Sequence, residues 1–276
     1  MATTYLDDLV ARVRVHLKEA TADKWADTDI EEYVGQAVGD LSEFRPRRTV
    51  GNLYLCGGTR LVNISSLTDL KQILWVEYKY GDIGERKVPK QFKNWLDVDE
   101  TYIQVVLSAT PQGDSDVTGT ATATVTGGLR DSSSQFSADM AYAEVENTTD
   151  DTKTWITAYT DADNVTVNDD IFASGETYTI YERVPVNVYY ECKHTLSNTV
   201  KTYPTGYDDL VVLGATAYAR IAYATEVADQ ATAGEDVTNK LLRLAQSDMS
   251  NYWAKLRRIE PGVVMKQHTE NIRGYR

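Results

Sequence analysis

The chain has 276 residues, 42% of them hydrophobic and 25% charged, proportions that suit a folded protein of one or two domains and argue against wholesale disorder. Its formal net charge of -13 is uneven: fourteen acids against three bases between Pro111 and Pro185 give that segment -11, so the remainder nets only -2. Two cysteines, Cys56 and Cys192, are too few and too far apart for a disulfide framework or a CxxC metal site, and MATTYLDDLV lacks the basic and apolar regions of a signal peptide.

Residues 4 to 19 predict an amphipathic helix, with Leu6, Leu9, Val10, Val13 and Leu17 on one stripe and Asp7 and Asp8 at its positive end. A second helix is expected to open with a capping box at Thr28-Asp29-Ile30-Glu31, carry Ile30, Val34, Ala37, Leu41 and Phe44 inward, and stop at Pro46. Short alternating runs follow: VGNLYLC, TRLVNI, ILWVEYKY and TYIQVVL. Gly57-Gly58 predicts a hairpin between the first two, and VPVNVYYECKHTL is expected in the same small sheet. The acidic stretch 111–185 breaks into TATATV, AEVEN, TWITAYT, NVTV and TYTIYE between turn residues, a pattern for a compact all-β insertion whose ends lie close together.

From Tyr207 to Ile259 a helical hairpin is predicted, broken by the polar stretch around Gly234. Its first helix, DDLVVLGATAYARIAYATEVA, is apolar or small nearly all round, so it is either a core helix or one walled in by neighbouring subunits. On the second view Leu213, Ala217, Tyr218 and Ile221 form a subunit interface. Arg220 and Glu226 interrupt the run, so a membrane span is not expected. The second helix places Val237, Leu241, Leu244, Met249, Tyr252, Trp253 and Leu256 at helical steps, with Lys240, Arg243, Lys255, Arg257 and Arg258 mostly elsewhere.

No chemistry-bearing constellation emerges. His16, His194 and His268 stand apart from any HExxH, CxxC or GxSxG pattern, and Asp150-Asp151 and Asp169-Asp170 lack the spacing of a calcium loop. No catalytic residue, metal or cofactor is therefore expected, and the protein is read as a non-enzyme. Arg45, Arg47 and Arg48 sit where a helix gives way to a strand and are candidates for contact with DNA or an acidic partner; the alternative is a solvated turn.

The order of elements, LDDLVARVRVHL, then DTDIEEYVGQAVGDL ending at proline, then VYYECKHTL, then TGYDDLVVLGATAYARIAYA and a charged helix ending NYWAKLRRI, resembles the head-tail adaptor (connector, or head-completion) proteins of tailed bacteriophages. The stretch from GGLRDSSSQF to SGETYTIYE looks like a small β module inserted in phage structural proteins. The resemblance implies an α+β fold, with a helical-bundle core (1–110 and 186–259), a small antiparallel sheet, an inserted all-β module (111–185) and a C-terminal docking tail (260–276). It also implies a homo-oligomeric ring, commonly dodecameric, below the portal protein and above tail or neck proteins, through whose channel DNA passes without sequence specificity. Such a protein is made in the host cytoplasm and located in the virion, with no membrane contact. In this family the C-terminal segment commonly reaches the portal, which assigns docking to Val263, Val264, Met265, Lys266, Arg273, Tyr275 and Arg276. A reading of another class is a peripheral virion module that binds carbohydrate or a host surface through the β insertion.

Overall fold

The computed structural model describes residues 4–19, 24–78, 82–83, 86–87, 92–133, 135–229 and 235–259. The chain divides into two compact units, Met1–Arg47 with Cys192–Arg276, and Arg48–Glu191.

The first unit is helical. Its helices are α1 (Tyr5–Leu17), α2 (Asp27–Phe44), α3 (Asp208–Asp229) and α4 (Glu235–Leu256). α1 ends where Lys18 turns left-handed at φ 58°, its amide returning to the Val15 carbonyl. The cap of α2 lies two residues before the expected Thr28. Ala26 is the cap residue and has no side-chain acceptor, so only the reciprocal half of a capping box forms: the Asp29 carboxylate accepts the Ala26 N–H at 3.1 Å. Arg14 fixes the earlier start, because its Nε donates to Asp27 at 3.0 Å and its Nη2 to the Trp25 carbonyl at 3.0 Å.

α3 runs through the middle of this unit. Its Val211, Val212, Ala215 and Ala219 are buried against Leu9 and Val13 of α1, Val34, Ala37 and Leu41 of α2, and Tyr252 and Leu256 of α4. Small side chains let the helices approach closely: a Cβ added at Gly214 would lie 2.6 Å from the Tyr252 ring and 3.0 Å from Ala37 Cβ. Its mid-helix charge is satisfied as well, since Arg220 pairs with Asp248 of α4 and donates to the His16 carbonyl at 2.9 Å.

The second unit is built of sheets. One has the order β1 (Arg47–Tyr54), β15 (Pro185–Cys192), β3 (Leu70–Tyr78), β6 (Phe92–Lys93); another joins β2 (Leu61–Asn63), β8 (Tyr102–Val105) and β7 (Trp95–Asp97); β4 (Asp82–Ile83) pairs with β5 (Arg86–Lys87). The acidic segment supplies six more strands: β9 (Ser115–Thr120), β10 (Gly128–Arg130), β11 (Glu144–Asn147), β12 (Thr152–Asp161), β13 (Asn164–Val167) and β14 (Thr177–Tyr181). Their order is β10-β13-β12-β11-β14-β9, and the circuit closes because Thr122 N donates to the Arg130 carbonyl at 2.8 Å and Ala123 bridges Arg130. A small barrel results, filled by Leu129, Phe136, Val145, Ile156, Val165, Phe172, Tyr178 and Ile180.

The expected α+β fold with a helical-bundle core is therefore overturned. Antiparallel sheets dominate, with fifteen strands against four α-helices among the described residues, and the helices make up a unit of their own. Long helical stripes are conspicuous in sequence, whereas two- to four-residue strands leave almost no periodic signal. Two pairings also differ from expectation. Gly57-Gly58 joins β1 and β2 through a single bridge, Leu55 to Val62, after which the two strands enter different sheets. TYIQVVL lies in the three-stranded sheet and VPVNVYYEC in the four-stranded one, so they share no sheet. The ends of the acidic segment do lie together, for another reason: Glu182 N donates to the Asp114 carbonyl at 2.7 Å.

Candidate functional site

The predicted subunit-interface residues on α3 are occupied within their own chain. Ala217 is 0% exposed, and Leu213 and Tyr218 are half-buried against the helical core, with Ile221 half-buried on the same helix. Tyr218 and Tyr252 both donate to Asp40 Oδ2 of α2, at 2.6 and 3.0 Å, which ties three helices at one carboxylate. Burial, then hydrogen bonding to that carboxylate, raises the Tyr218 hydroxyl above the ordinary tyrosine range; burial, the charge of Asp40 and the bond to it do the same for Tyr252. α3 is thus largely buried within its own chain, and of the four named residues Leu213, Tyr218 and Ile221 keep part of their surface exposed on it.

The arginines are placed separately. In the helical unit Arg45 donates to the Tyr207 hydroxyl and lies over that ring, 5.1 Å from its centroid, and Arg47 is exposed. In the β unit Arg48 pairs with Glu191 on the neighbouring strand at 3.0 Å. Two of the three cations are thus drawn into contacts within the chain. Val263, Val264, Met265, Lys266, Arg273, Tyr275 and Arg276 lie outside the described residues.

His194 is structural. Its Nε2 lies 2.8 Å from the Arg45 carbonyl, which can only accept, so Nε2 carries the proton and Nδ1 accepts from Thr202. Burial, ahead of the charges of Arg47 and Arg45, lowers its pKa and favours the neutral ring. Cys56 is a buried thiol pushed up to about 11, chiefly by burial, which makes it a poor nucleophile. Among the described residues no group of three or more His, Cys, Asp or Glu could hold a metal ion. The hollow lined by Leu55, Gly57, Tyr142 and Glu144 measures about 10 Å³, room for one water rather than a substrate.

The acidic barrel keeps polar groups inside. Asp131, 4% exposed, receives the Tyr178 hydroxyl at 2.7 Å and the Ser133 amide at 2.9 Å; burial opposes its charge, but these hydrogen bonds outweigh burial and hold the carboxyl below its usual range. Buried Asn147 donates to the Ile171 carbonyl and to Glu176, at 2.7 and 2.8 Å. Where the barrel meets the rest of its unit, the Gly57 amide donates to the Tyr142 carbonyl at 3.1 Å, and a Cβ on Gly57 would fall 2.2 Å from the Glu144 nitrogen. Glu144 is itself engaged by Lys153 and Gln112, at 3.0 and 2.8 Å.

Two surfaces stand out that sequence reading did not single out. On the three-stranded sheet Leu96 faces Gln104 across the ladder, so Leu96, Val98 and Val106 share a face; they are 57%, 51% and 48% exposed. On α4 the exposed side carries Lys240 and Arg243, with Lys255 near its end and Arg257 and Arg258 in the turn beyond, all solvent-facing. In the four-stranded sheet Tyr189 packs against Trp75 and Phe92 with ring centroids 6.2 and 6.1 Å away, and Tyr190 is buried. No helix among the described residues is long and apolar enough to cross a membrane. No protein-family model matches the chain, and neither does any curated protein.

Proposed function

We propose that this chain is a non-enzymatic structural protein of a tailed-phage virion, a homo-oligomeric ring below the portal that joins head to tail and continues the DNA channel. The order of its helices and the inserted acidic β barrel support the reading by resemblance. The observation that carries the oligomeric part is the shared exposure of Leu96, Val98 and Val106 on one sheet face. An outward apolar face of this kind marks an association surface. α3 is largely buried in its own chain, so this face supplies subunit contact beyond what the half-exposed Leu213, Tyr218 and Ile221 offer. Segment 260–276 serves as the portal-docking tail.

Native mass spectrometry of the purified chain, followed by co-sedimentation with portal rings, tests the proposal. Closed rings that sediment with portal are expected, and L96K/V106K is expected to yield folded monomers. A wild-type chain that stays monomeric at tens of micromolar and ignores portal overturns it.

A further inference from the structure

We propose that the solvent face of α4 contacts the phosphodiester backbone of duplex DNA, an inference that rests on the channel-forming reading above. Five bases, Lys240, Arg243, Lys255, Arg257 and Arg258, are exposed along α4 and the turn after it. The one acid between residues 239 and 258, Asp248, is turned toward Arg220 of α3 and pairs with it. Ala245, Tyr252 and Leu256 occupy the opposite, buried side. In a protein of net charge -13 this face is a local exception, the acids nearest to it in sequence, Asp248 apart, being Glu235 and Asp236 at the start of α4 and Glu260 beyond its end.

Composition decides between a polyanion and a protein partner. Between Arg243 and Lys255 the exposed residues are Leu244, Gln246, Ser247, Ser250, Asn251 and Ala254. Protein interfaces are depleted in Lys, Ser and Ala at their centres and are anchored by aromatic or large apolar side chains. Phosphate contacts draw on Arg and Lys together with the hydroxyls and amides of Ser, Asn and Gln. Among the described residues Leu244 is the only large apolar one exposed on this face, so the chemistry fits phosphates. Small side chains at Ser250 and Ala254, both exposed beside Trp253 and Arg257, let a sugar-phosphate chain lie close to the helix.

Lys240 to Arg257 spans about 26 Å at 1.5 Å per residue, long enough for a handful of phosphates and too sparse in donors to read base edges. Contacts of this type bind any sequence and let the duplex slide. Five phosphate contacts give a slope of log K against log salt of about -4.5, or roughly 500-fold weaker binding for a fourfold rise in salt.

The test is fluorescence anisotropy of a labelled duplex of about 30 base pairs with the full-length chain, between about 50 and 200 mM NaCl. The expected results are that slope, its fall to about -2 in R243Q/K255Q/R257Q, and no change in R60Q/K93Q. All substituted residues on α4 are exposed, and circular dichroism confirms the fold of each variant. Absence of binding at the lowest salt, or an unchanged slope in the triple variant, overturns the inference. It is overturned too if the triple variant loses self-association while DNA binding persists, which would make this face a protein interface. Rings that form without DNA binding sink this inference and leave the proposed function standing.

Discussion

In the helical unit, α3 buries Val211, Val212, Ala215, Ala217 and Ala219; the buried hydroxyls of Thr216 and Ser42 are satisfied one turn back on their own helices, and Tyr218 and Tyr252 reach Asp40. The barrel instead holds Asp131, Asn147 and Thr154 inside beside its apolar residues. The first region owes its stability chiefly to apolar burial, its buried hydroxyls being satisfied within their own helices, and is tolerant of conservative apolar change. The second needs each interior hydrogen bond made, because a buried acceptor that loses its donor costs about 1–3 kcal/mol. The two regions should therefore fail in different ways.

The largest effect is expected from Ala217→Glu, which puts a carboxylate at a fully buried position and costs more than about 4 kcal/mol. Differential scanning calorimetry of the full chain should lose the helical unit's transition and keep that of the β unit; an unchanged helical transition would show that α3 is not buried. Next comes Gly57→Ala, whose methyl overlaps the Glu144 backbone. A penalty of about 3 kcal/mol should lower the β unit's melting temperature by about 6–10 °C and spare the helical unit. Tyr178→Phe should cost about 2 kcal/mol, by removing one donor from buried Asp131.

That variant also carries a pH signature. Asp131 has a folded-state value below its unfolded one, so the stability it contributes is complete above about pH 4 and is lost as pH falls through the folded value. The gap between wild type and Y178F should therefore narrow in acid, and a constant gap would mean that the hydroxyl does not support the charge. The smallest effect belongs to His194. Its pKa is lowered on folding, so its contribution is present above about pH 6.5 and declines as pH falls toward the folded value. The helical transition should drop slightly between about pH 7.5 and 5.5, less so in H194Q, which keeps a donor for the Arg45 carbonyl.

The helices were legible because their apolar stripes are long. α1, α3 and α4 fall where periodicity puts them, and the cap of α2 is displaced by two residues because Arg14 holds Asp27 through hydrogen bonds that a local reading does not contain. Within the barrel AEVEN, TWITAYT, NVTV and TYTIYE are strands as expected, whereas TATATV contributes only the closing contacts and the first strand begins earlier, at Ser115. Pairing was illegible: β15 joins β1 and β3 across more than a hundred residues of chain, and nothing local in TYIQVVL marks it for a different sheet. The same distance hid the fate of the arginine cluster, since Tyr207 and Glu191 lie far along the chain from Arg45 and Arg48. The bases of α4 stood in plain view, but their common face became evident only once the buried side of that helix was known.

The central claim is that this chain sits at the head-tail junction, and location in the particle tests it most directly. A chain bearing a small epitope at the exposed Asp150-Asp151 turn, assembled into virions and imaged by electron microscopy with a gold-labelled antibody, should place label in a collar at the single tail vertex. Label at fibre tips or spread over the capsid surface would contradict the account and favour a peripheral binding module.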